Sequence, residues 1–498
     1  MKYVIGIDLG TSGVKTLLVG HDGSIVSSAQ VSYTPDFYPG GRVEQKPAVW
    51  WENTLKALKD LMEKNPEARG NVTAAAVSGQ MHSSVFLDSN NEVIRPAILW
   101  NDTRTTAQTK EIVERAGGVK VLLGLTCNLA LEGFTLPKIL WLKENEPENY
   151  DKVNKVIMPK DYINFMLTGN IKTDVSDAAG TLLFDVRNCR WSGELCARTG
   201  ISPKILPEVI PSTGFVGTVK TELCEELGFE SGAKIIAGGA DNSCAAIGNG
   251  VIKDGQGVIS IGTSGTVIGY VGDIKSEVTG GVHLFNYSAP DSWYAMGCML
   301  CAGEALNWTK RTFFESLSFD ELNVLAEKAP AGSGGLLFLP YLFGERSPHN
   351  DPDARGAFIG IFGGCEKGNI IRSVMEGVAF AVRDMYEEVV KFTDLNEIFI
   401  TGGGAKSNLW GQICSDILNR PLKVLNVSEG PSYGAALIAM VGSGAAPGFE
   451  EAKGGKVKVV KEITPSENVE VYKKFYPVFR QLYKSNKENF KLIKEILK

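Results

Sequence analysis

No stretch of the chain is apolar for long. The most hydrophobic short run, Leu336 to Phe343, contains Pro340 and falls far short of the ~20 residues that span a bilayer, so no membrane helix is expected. Positive charge is not in excess either. Against 57 Asp and Glu stand 51 Lys and Arg, a net charge of -6, which leaves no bulk electrostatic footprint for nucleic acid. Any anion must be bound locally. Met1 and Lys2 pass straight into a β-branched run, without the charged leader, apolar core and cleavage site of a secretory signal. A disulfide framework is missing too: nine cysteines, an odd number scattered from Cys127 to Cys414, fit a reducing cytoplasm. The one C-x-x-C, Cys298 and Cys301, has no second pair or nearby histidines, which favours a buried structural role over metal or redox work.

What the chain does have is 498 residues of ordinary globular composition, 44% hydrophobic and 22% charged, enough for two or more domains. Near its start, Ile7 to Lys15 reads I-D-L-G-T-S-G-V-K, between the β-branched runs Tyr3 to Ile7 and Val14 to Val19. This is a strand hairpin tipped with glycine and hydroxyl. Glycines let backbone N–H groups approach a bound anion without a Cβ in the way, Thr11 and Ser12 add hydroxyl donors, and Lys15 adds positive charge. Such a tip suits a polyphosphate. Asp8, just before it, repels phosphate on its own and makes sense with a cation between them, most simply Mg²⁺. An isolated G-T-S-G is more often a plain turn. A second copy changes the balance: Val258 to Gly265 reads V-I-S-I-G-T-S-G and runs into the apolar Thr266 to Tyr270, about half a chain later, the sign of a duplicated architecture.

Strands over Lys2 to Ser32 turn at Asp22-Gly23, Pro47 to Met62 has helical spacing, and Val72 to Val77 returns as a strand. Three antiparallel strands, a helix and a strand open a ribonuclease-H-like α/β unit. The returning strand runs into Ser78-Gly79-Gln80-Met81-His82, and a following hairpin leads to Trp100-Asn101-Asp102-Thr103-Arg104. Polar and aromatic groups at strand ends suit a small polyhydroxylated ligand, which makes Gln80, His82, Trp100, Asn101, Asp102 and Arg104 candidate pocket residues. A packed histidine explains His82 equally well, and an ion pair explains Asp102 with Arg104. Farther on, Asp161 to Leu167 reads as a helix and Asp174 to Gly180 as a polar loop, and Lys234 to Ala237 is a strand ending in Gly238-Gly239-Ala240-Asp241-Asn242. Asp241 is either an N-cap on a helix from Asn242 or a carboxylate placed to take a proton from a substrate hydroxyl. Asn369 to Lys391 is a long helix, and Glu397 to Ile400 a strand that ends in Thr401-Gly402-Gly403-Gly404-Ala405 before a helix near Ser407. With Ser407 where a third fingerprint glycine would fall, that loop reads as a wall for an adenosine and not as a dinucleotide turn. Tyr472, Tyr476, Phe479 and Tyr483 recur at helical spacing near the end, a core-facing stripe in preference to a membrane-binding one.

The order D-L-G-T-S-G-V-K, S-G-Q-M-H, I-L-W-N-D-T-R, G-G-A-D-N, S-I-G-T-S-G, G-E-R-S-P-H and T-G-G-G-A-K-S-N resembles the FGGY carbohydrate kinases of the actin-like ATPase superfamily, and within them the xylulokinase branch. The resemblance runs from Val4 to about Gly442 and includes both signature regions, Gly133 to Asn145 and the stretch from Gly356 into the long helix. It implies an α/β fold of two ribonuclease-H-like (actin-like ATPase) domains, residues 1–245 and 246–498, with the catalytic cleft between them. It implies ATP and Mg²⁺ as cofactors and phosphorylation of a ketopentose, D-xylulose, to its 5-phosphate in pentose catabolism. The alternative is another keto-sugar or polyol: ribulose, erythrulose, gluconate or glycerol. Residue by residue, Asp8 matches the metal-proximal aspartate and Asp241 the catalytic base. Met81 and His82, beside Gln80, match the sugar site together with Asp241, Trp100, Asn101 and Asp102. Thr11, Ser12 and Lys15 match the first phosphate loop, Gly262, Thr263, Ser264 and Gly265 the second, and Gly402, Gly403, Gly404 and Ala405 with Asn408 the adenosine loop. Ala240 stands where xylulokinases commonly have a third glycine, and its methyl is expected to tighten the sugar pocket. The expected partners are the sugar and ATP in the cytoplasm, with no nucleic acid and no membrane; the assembly state is open, a homodimer included.

Overall fold

The computed structural model describes residues 1–427 and 429–496. Each half of the chain builds one mixed sheet. In the first, β1 (Tyr3–Leu9), β2 (Gly13–Gly20) and β3 (Ile25–Ser32) form the expected antiparallel meander. With β4 (Val72–Gly79), β5 (Phe215–Thr218) and β6 (Lys234–Ala240) the order is β5-β6-β4-β1-β2-β3, and β1, β4 and β6 run parallel. The second sheet holds β7 (Gln256–Ile261), β8 (Gly265–Val271), β9 (His283–Asn286), β10 (Trp293–Met299), β11 (Glu397–Thr401), β12 (Leu422–Leu425) and β13 (Val459–Ile463) in the order β9-β10-β8-β7-β11-β12-β13. The six strands of the first sheet match six of the seven in the second, with β9 an extra edge strand. β7 pairs antiparallel with β8 and parallel with β11, as β1 does with β2 and β4, and β8 continues to β10 as β2 does to β3. Each G-T-S-G is the turn of the central hairpin of its sheet, so the two ribonuclease-H-like, actin-like units read from the sequence are present.

The helices used below are α1 (Pro47–Lys64), α2 (Thr135–Asn145), α3 (Pro159–Thr168), α4 (Val175–Ala179), α5 (Asp241–Gly248), α6 (Gly303–Phe313), α7 (Lys367–Val389), α8 (Asn408–Leu418), α9 (Gly430–Ser443) and α10 (Val469–Ile496). Three differ from expectation for local reasons. Asp174 to Gly180 is not an open loop: the Asp174 carboxylate accepts from the N–H groups of Ser176 and Asp177 and so starts α4. Asp241 is the first residue of α5 and not its cap, because the extended backbone of β6 carries on through Ala240. α7 begins ahead of its apolar pattern, where Glu366 and Asn369 cap each other's backbone. As expected, the aromatic stripe of α10 is buried, with Tyr472 donating its hydroxyl to Glu376 and Tyr476 to Asp384 on α7. Among the described residues no helix is long and apolar enough to cross a membrane.

The outer face of the first sheet, with Ile5, Ile7 and Leu9, packs on Trp50 and Leu58 of α1 and Ile163 of α3. Its inner face, with Val4, Ala74, Ala76 and Ile236, belongs to a core that continues through α5 and α9 into the second sheet. Along β1 this inner face reads Val4, Gly6, Asp8: bulk, then nothing, then charge. The gap is where the halves join. A Cβ on Gly6 would lie 1.9 Å from the Ser432 carbonyl oxygen of α9, one on Gly434 1.8 Å from that of Cys244 in α5, and one on Gly248 2.1 Å from that of Gly430. α9 therefore rests backbone to backbone on both β1 and α5. The expected lobe boundary, between 245 and 246, lies within α5.

Gly434→Ala puts a methyl onto a main-chain oxygen that cannot step aside, and is expected to cost about 3 kcal/mol or more. At Gly444, φ is +81° with nothing within 4 Å, and the same change costs only the left-handed backbone, about 1–2 kcal/mol. Thermal denaturation of the two variants checks this; equal losses would mean that the α5–α9 contact is not the tight joint described.

Candidate active site

Each hairpin tip is closed by a bond from the N–H of its first glycine, to the carbonyl three residues on in the first and two residues on in the second. The Gly10 N–H donates to the Gly13 carbonyl at 2.9 Å and the Gly262 N–H to that of Ser264 at 3.0 Å. At each tip two consecutive N–H groups, those of Thr11 and Ser12 and of Thr263 and Ser264, are left without a backbone acceptor among the described residues, which makes an anion cradle. Both are braced from behind. The Tyr33 hydroxyl donates to the Gly10 carbonyl at 2.7 Å, while the N–H groups of Ala302 and Gly303, at the start of α6, donate to the carbonyls of Thr263 and Gly262 at 3.0 and 2.7 Å. The glycine loop after β11 lies against the second tip. A Cβ on Gly402 would meet the Ile261 carbonyl oxygen at 2.5 Å, and one on Gly404 would meet Ile261 Cγ2 at 2.5 Å. Beside the loop opens a cavity of about 390 Å³ lined by Asn249, Phe399, Gly402, Gly403, Ala405 and Leu425, among others, a size suited to a nucleoside.

The candidate sugar-site residues form a second cluster, to which both halves of the chain contribute. His82 has a left-handed backbone, φ 69°, which strains a side chain of this size. Its carbonyl is held by Thr135 Oγ1 at 3.1 Å and Lys138 Nζ at 3.2 Å. The ring donates from Nδ1 to the Gly180 carbonyl, and so leaves Nε2 as an acceptor. Burial, aided by the neighbouring Lys138, His283 and Arg346 charges and against the pull of the Gly180 carbonyl, pushes His82 down to about 3; the ring is neutral. Phe134 and Phe285 flank it at centroid distances of 4.6 and 6.0 Å. Met81 Sδ lies 3.9 Å from Asn242 Nδ2 and 3.8 Å from the Tyr294 hydroxyl. Trp100 donates its indole N–H to Thr11 Oγ1 at 2.8 Å, and that hydroxyl donates to Gln80 Oε1 at 3.4 Å, so one side of the cluster is bonded to the first hairpin tip. Gln80 Nε2 and Asn101 Oδ1 are buried without partners among the described residues.

Two carboxylates stand at the parallel strand ends. Asp8 faces Ser78 across the β1–β4 register. Burial and then the charge of Asp241 push it up to about 7, with Lys15 opposing. Burial raises Asp241 to about 6, against the bonds that its Oδ1 accepts from the Asn242 N–H at 2.7 Å and Nδ2 at 2.9 Å. Its Oδ2 accepts nothing among the described residues. A buried network holds the backbone beneath it: the Ala240 N–H donates to Ser176 Oγ at 2.9 Å, Ser176 and Ser212 both donate to Asp174, and Lys160 Nζ sits 2.9 Å from Asp174 and 2.5 Å from Asp161. The three acids Asp161, Asp174 and Asp177 keep Lys160 fully charged despite its burial.

The structure thus gathers Gln80, Met81, His82, Trp100 and Asn101 near Thr11, and Asp8 near Asp241, and it separates others. Asp102 is a correction: it is buried, accepts from the Val43 N–H at 2.6 Å and binds Arg104 Nη2 at 2.6 Å, while Arg104 reaches Glu44 and lies 4.7 Å from the Trp141 ring. Both oxygens are committed, so Asp102 and Arg104 brace the pocket loop instead of lining the pocket. Lys15 is paired with Glu429 at the start of α9. Asn408 lies outside the nucleoside-sized cavity, its Oδ1 turned to Lys461 Nζ at 2.6 Å, because the first turn of α8 faces β13. The Ala240 methyl is fully buried, in the core that also holds Met81, Phe285 and Tyr294. Sequence reasoning named none of Gly180, Phe285, Tyr294, Lys160, Arg346, Phe134 and Lys138 as site residues; Phe134, Lys138, Gly180 and Arg346 stood in stretches already singled out.

Comparison with known proteins agrees with this architecture. Residues 3–248 match the N-terminal domain and residues 257–443 the C-terminal domain of the FGGY family of carbohydrate kinases. The chain is 40% identical to the xylulose kinase of Bacillus subtilis and 43% identical to that of Lactococcus lactis subsp. lactis, in each case over 492 residues and 98% of both chains. The crystal structure of ligand-bound xylulose kinase from Lactobacillus acidophilus superposes with a TM-score of 0.93 at 29% identity, covering 99% of this chain and 100% of that one. Paired hairpin cradles, a shared pocket and full-length similarity converge on one assignment: the chain belongs to the FGGY family of carbohydrate kinases.

Proposed function

We propose that the protein transfers the γ-phosphoryl group of ATP to the terminal hydroxyl of a ketopentose, D-xylulose, giving D-xylulose 5-phosphate and ADP. The observation that carries this reading is the free Oδ2 of Asp241, beside a pocket whose His82 Nε2 and Asn101 Oδ1 are open acceptors for hydroxyl groups. The lobe of residues 1–245 supplies the sugar site and the first cradle, and that of residues 246–498 the second cradle and the adenosine wall. Asp241 takes the proton of the sugar hydroxyl as that oxygen bonds to phosphorus and the bond to the ADP oxygen breaks. The Thr11, Ser12, Thr263 and Ser264 N–H groups hold the phosphates, so positioning and charge do most of the catalytic work. Asp8 suits a magnesium ion: its carboxylate is raised by burial beside Asp241, its chain neighbour across the hairpin, Lys15, is already paired, and one carboxylate plus phosphate oxygens is a donor set that this ion accepts. Such an ion would supply charge that offsets the phosphate oxygens and returns Asp8 to its ionised form. The nine free cysteines support placing the enzyme in a reducing cytoplasm.

A panel of D-xylulose, L-ribulose, D-ribulose, erythrulose, gluconate and glycerol is expected to give the highest kcat/KM with D-xylulose. ADP release that no sugar accelerates would overturn the reading. Asp241→Asn should lower kcat about 10²- to 10⁴-fold with little change in either KM. In the wild type, activity should fall on the acid side with an apparent pKa near 6, as Asp241 is protonated; a flat profile through that range contradicts the base assignment. The same residue has a stability signature. Asp241 is raised from its ordinary 3.8 to about 6, so the folded protein holds the proton more tightly than the unfolded chain, and stability falls as pH rises between those values. At pH about 7.5 and without ligands, Asp241→Asn is expected to melt about 1–3 °C above the wild type; a lower midpoint would give ionised Asp241 a structural role instead.

A further inference from the structure

The G-E-R-S-P-H motif brings a cation from one half of the chain to the other. Arg346 belongs to the C-terminal half, yet its guanidinium lies 5.9 Å from the ring centroid of Trp100 in the N-terminal half. It reaches the pocket that holds His82. Among the described residues no carboxylate pairs with it. Its charge acts on three basic groups, His82, His283 and Lys138, and on the adjacent Glu345, and its side chain bonds the thiol of Cys298. The adjacent Glu345 does not neutralise it. Glu345 Oε1 accepts from the N–H groups of Arg346 and Leu300 at 2.7 and 3.3 Å, and burial pushes the carboxyl up to about 8. A half-buried guanidinium with five N–H donors and no carboxylate in a salt bridge with it among the described residues needs acceptor oxygens.

The loop is also built to hold that side chain still. The Ser347 N–H donates to the Cys298 carbonyl at 3.0 Å, and Glu345 and Asp351 exchange backbone bonds of 2.8 Å. From α10, Tyr483 donates to Asp351 at 2.8 Å and stacks on His349 at 3.7 Å.

We propose that Arg346 is a substrate-contacting specificity residue, which donates from the C-terminal lobe to an oxygen of the bound ketose, so that the sugar site is complete only when both lobes contribute. This rests on the reading of the Met81, His82 and Trp100 pocket as the sugar site. The neutral, acceptor-rich ketose supplies what the guanidinium lacks, and Trp100 gives the cation a face to lie against.

The test pairs enzyme and substrate deletions. KM for D-xylulose, KM for ATP and ADP affinity are measured for the wild type, Arg346→Gln and Arg346→Lys, and then repeated for xylitol and for the 1-, 3- and 4-deoxy analogues of xylulose. Arg346→Gln is expected to raise the sugar KM roughly ten- to hundred-fold with ATP KM and ADP affinity unchanged, and Arg346→Lys to fall between. One analogue should cost the wild type about tenfold and Arg346→Gln less than twofold, which identifies the oxygen contacted. Arg346→Gln with an unchanged sugar KM, or equal analogue penalties in both proteins, overturns the contact while leaving the kinase reading intact. If Arg346→Gln does not fold, Arg346→Lys carries the analogue comparison alone. A wild type that phosphorylates none of the panel overturns the functional reading first, and the contact with it.

Discussion

The close contact of α9 with β1 and α5 is the constraint on which the rest of the molecule depends. Helices normally pack 8–10 Å apart because side chains intervene; here Gly6, Gly434 and Gly248 remove them and let main chain touch main chain. α5 begins with Asp241, and α9 is preceded by Glu429, the partner of Lys15 on the first hairpin. Fixing these two helices therefore fixes Asp241, the proposed base, relative to the first hairpin tip. The inner face of β1 shows the same logic within one strand: Val4 fills the core, Gly6 admits the helix and Asp8 enters the cleft.

The electrostatic arrangement is costly, which is informative. Asp8 and Asp241 share a region where burial disfavours charge on both, and no side-chain cation neutralises them fully. A structural ion pair would have been cheaper, as at Arg104, where Asp102 and Glu44 satisfy the guanidinium. Unpaired buried acids persist where chemistry uses them. The network of Lys160, Asp174 and Ser176 has the opposite character: it is buried and heavily bonded, and it pins Ala240, so the neighbouring Asp241 is positioned from beneath by groups bonded to one another.

Much of this was legible in the chain because the informative residues are consecutive. A β-branched run into G-T-S-G specifies a hairpin tip by itself, and its repetition specifies the second sheet. Gly238 to Asp241 after a strand places a carboxylate at a sheet end. What could not be read depended on partners far away in sequence. Asp102 and Arg104 looked like pocket residues until Glu44 and Trp141 turned them inward. Lys160 reads as an ordinary helix lysine until Asp174 is brought to it. Asn408 lies near the glycine loop in sequence, but the helical turn aims it at Lys461. Arg346 stands in the G-E-R-S-P-H motif, but its role cannot be read there, because it comes from Trp100 in the other half.

The most direct test of the central claim is a crystal structure with a non-hydrolysable ATP analogue and D-xylulose bound together. The account predicts Asp241 Oδ2 within about 3 Å of the sugar's terminal oxygen, with the terminal phosphate between the Thr11–Ser12 and Thr263–Ser264 N–H groups. A terminal hydroxyl turned away from Asp241, or Oδ2 bonded to a protein donor in that complex, would contradict it.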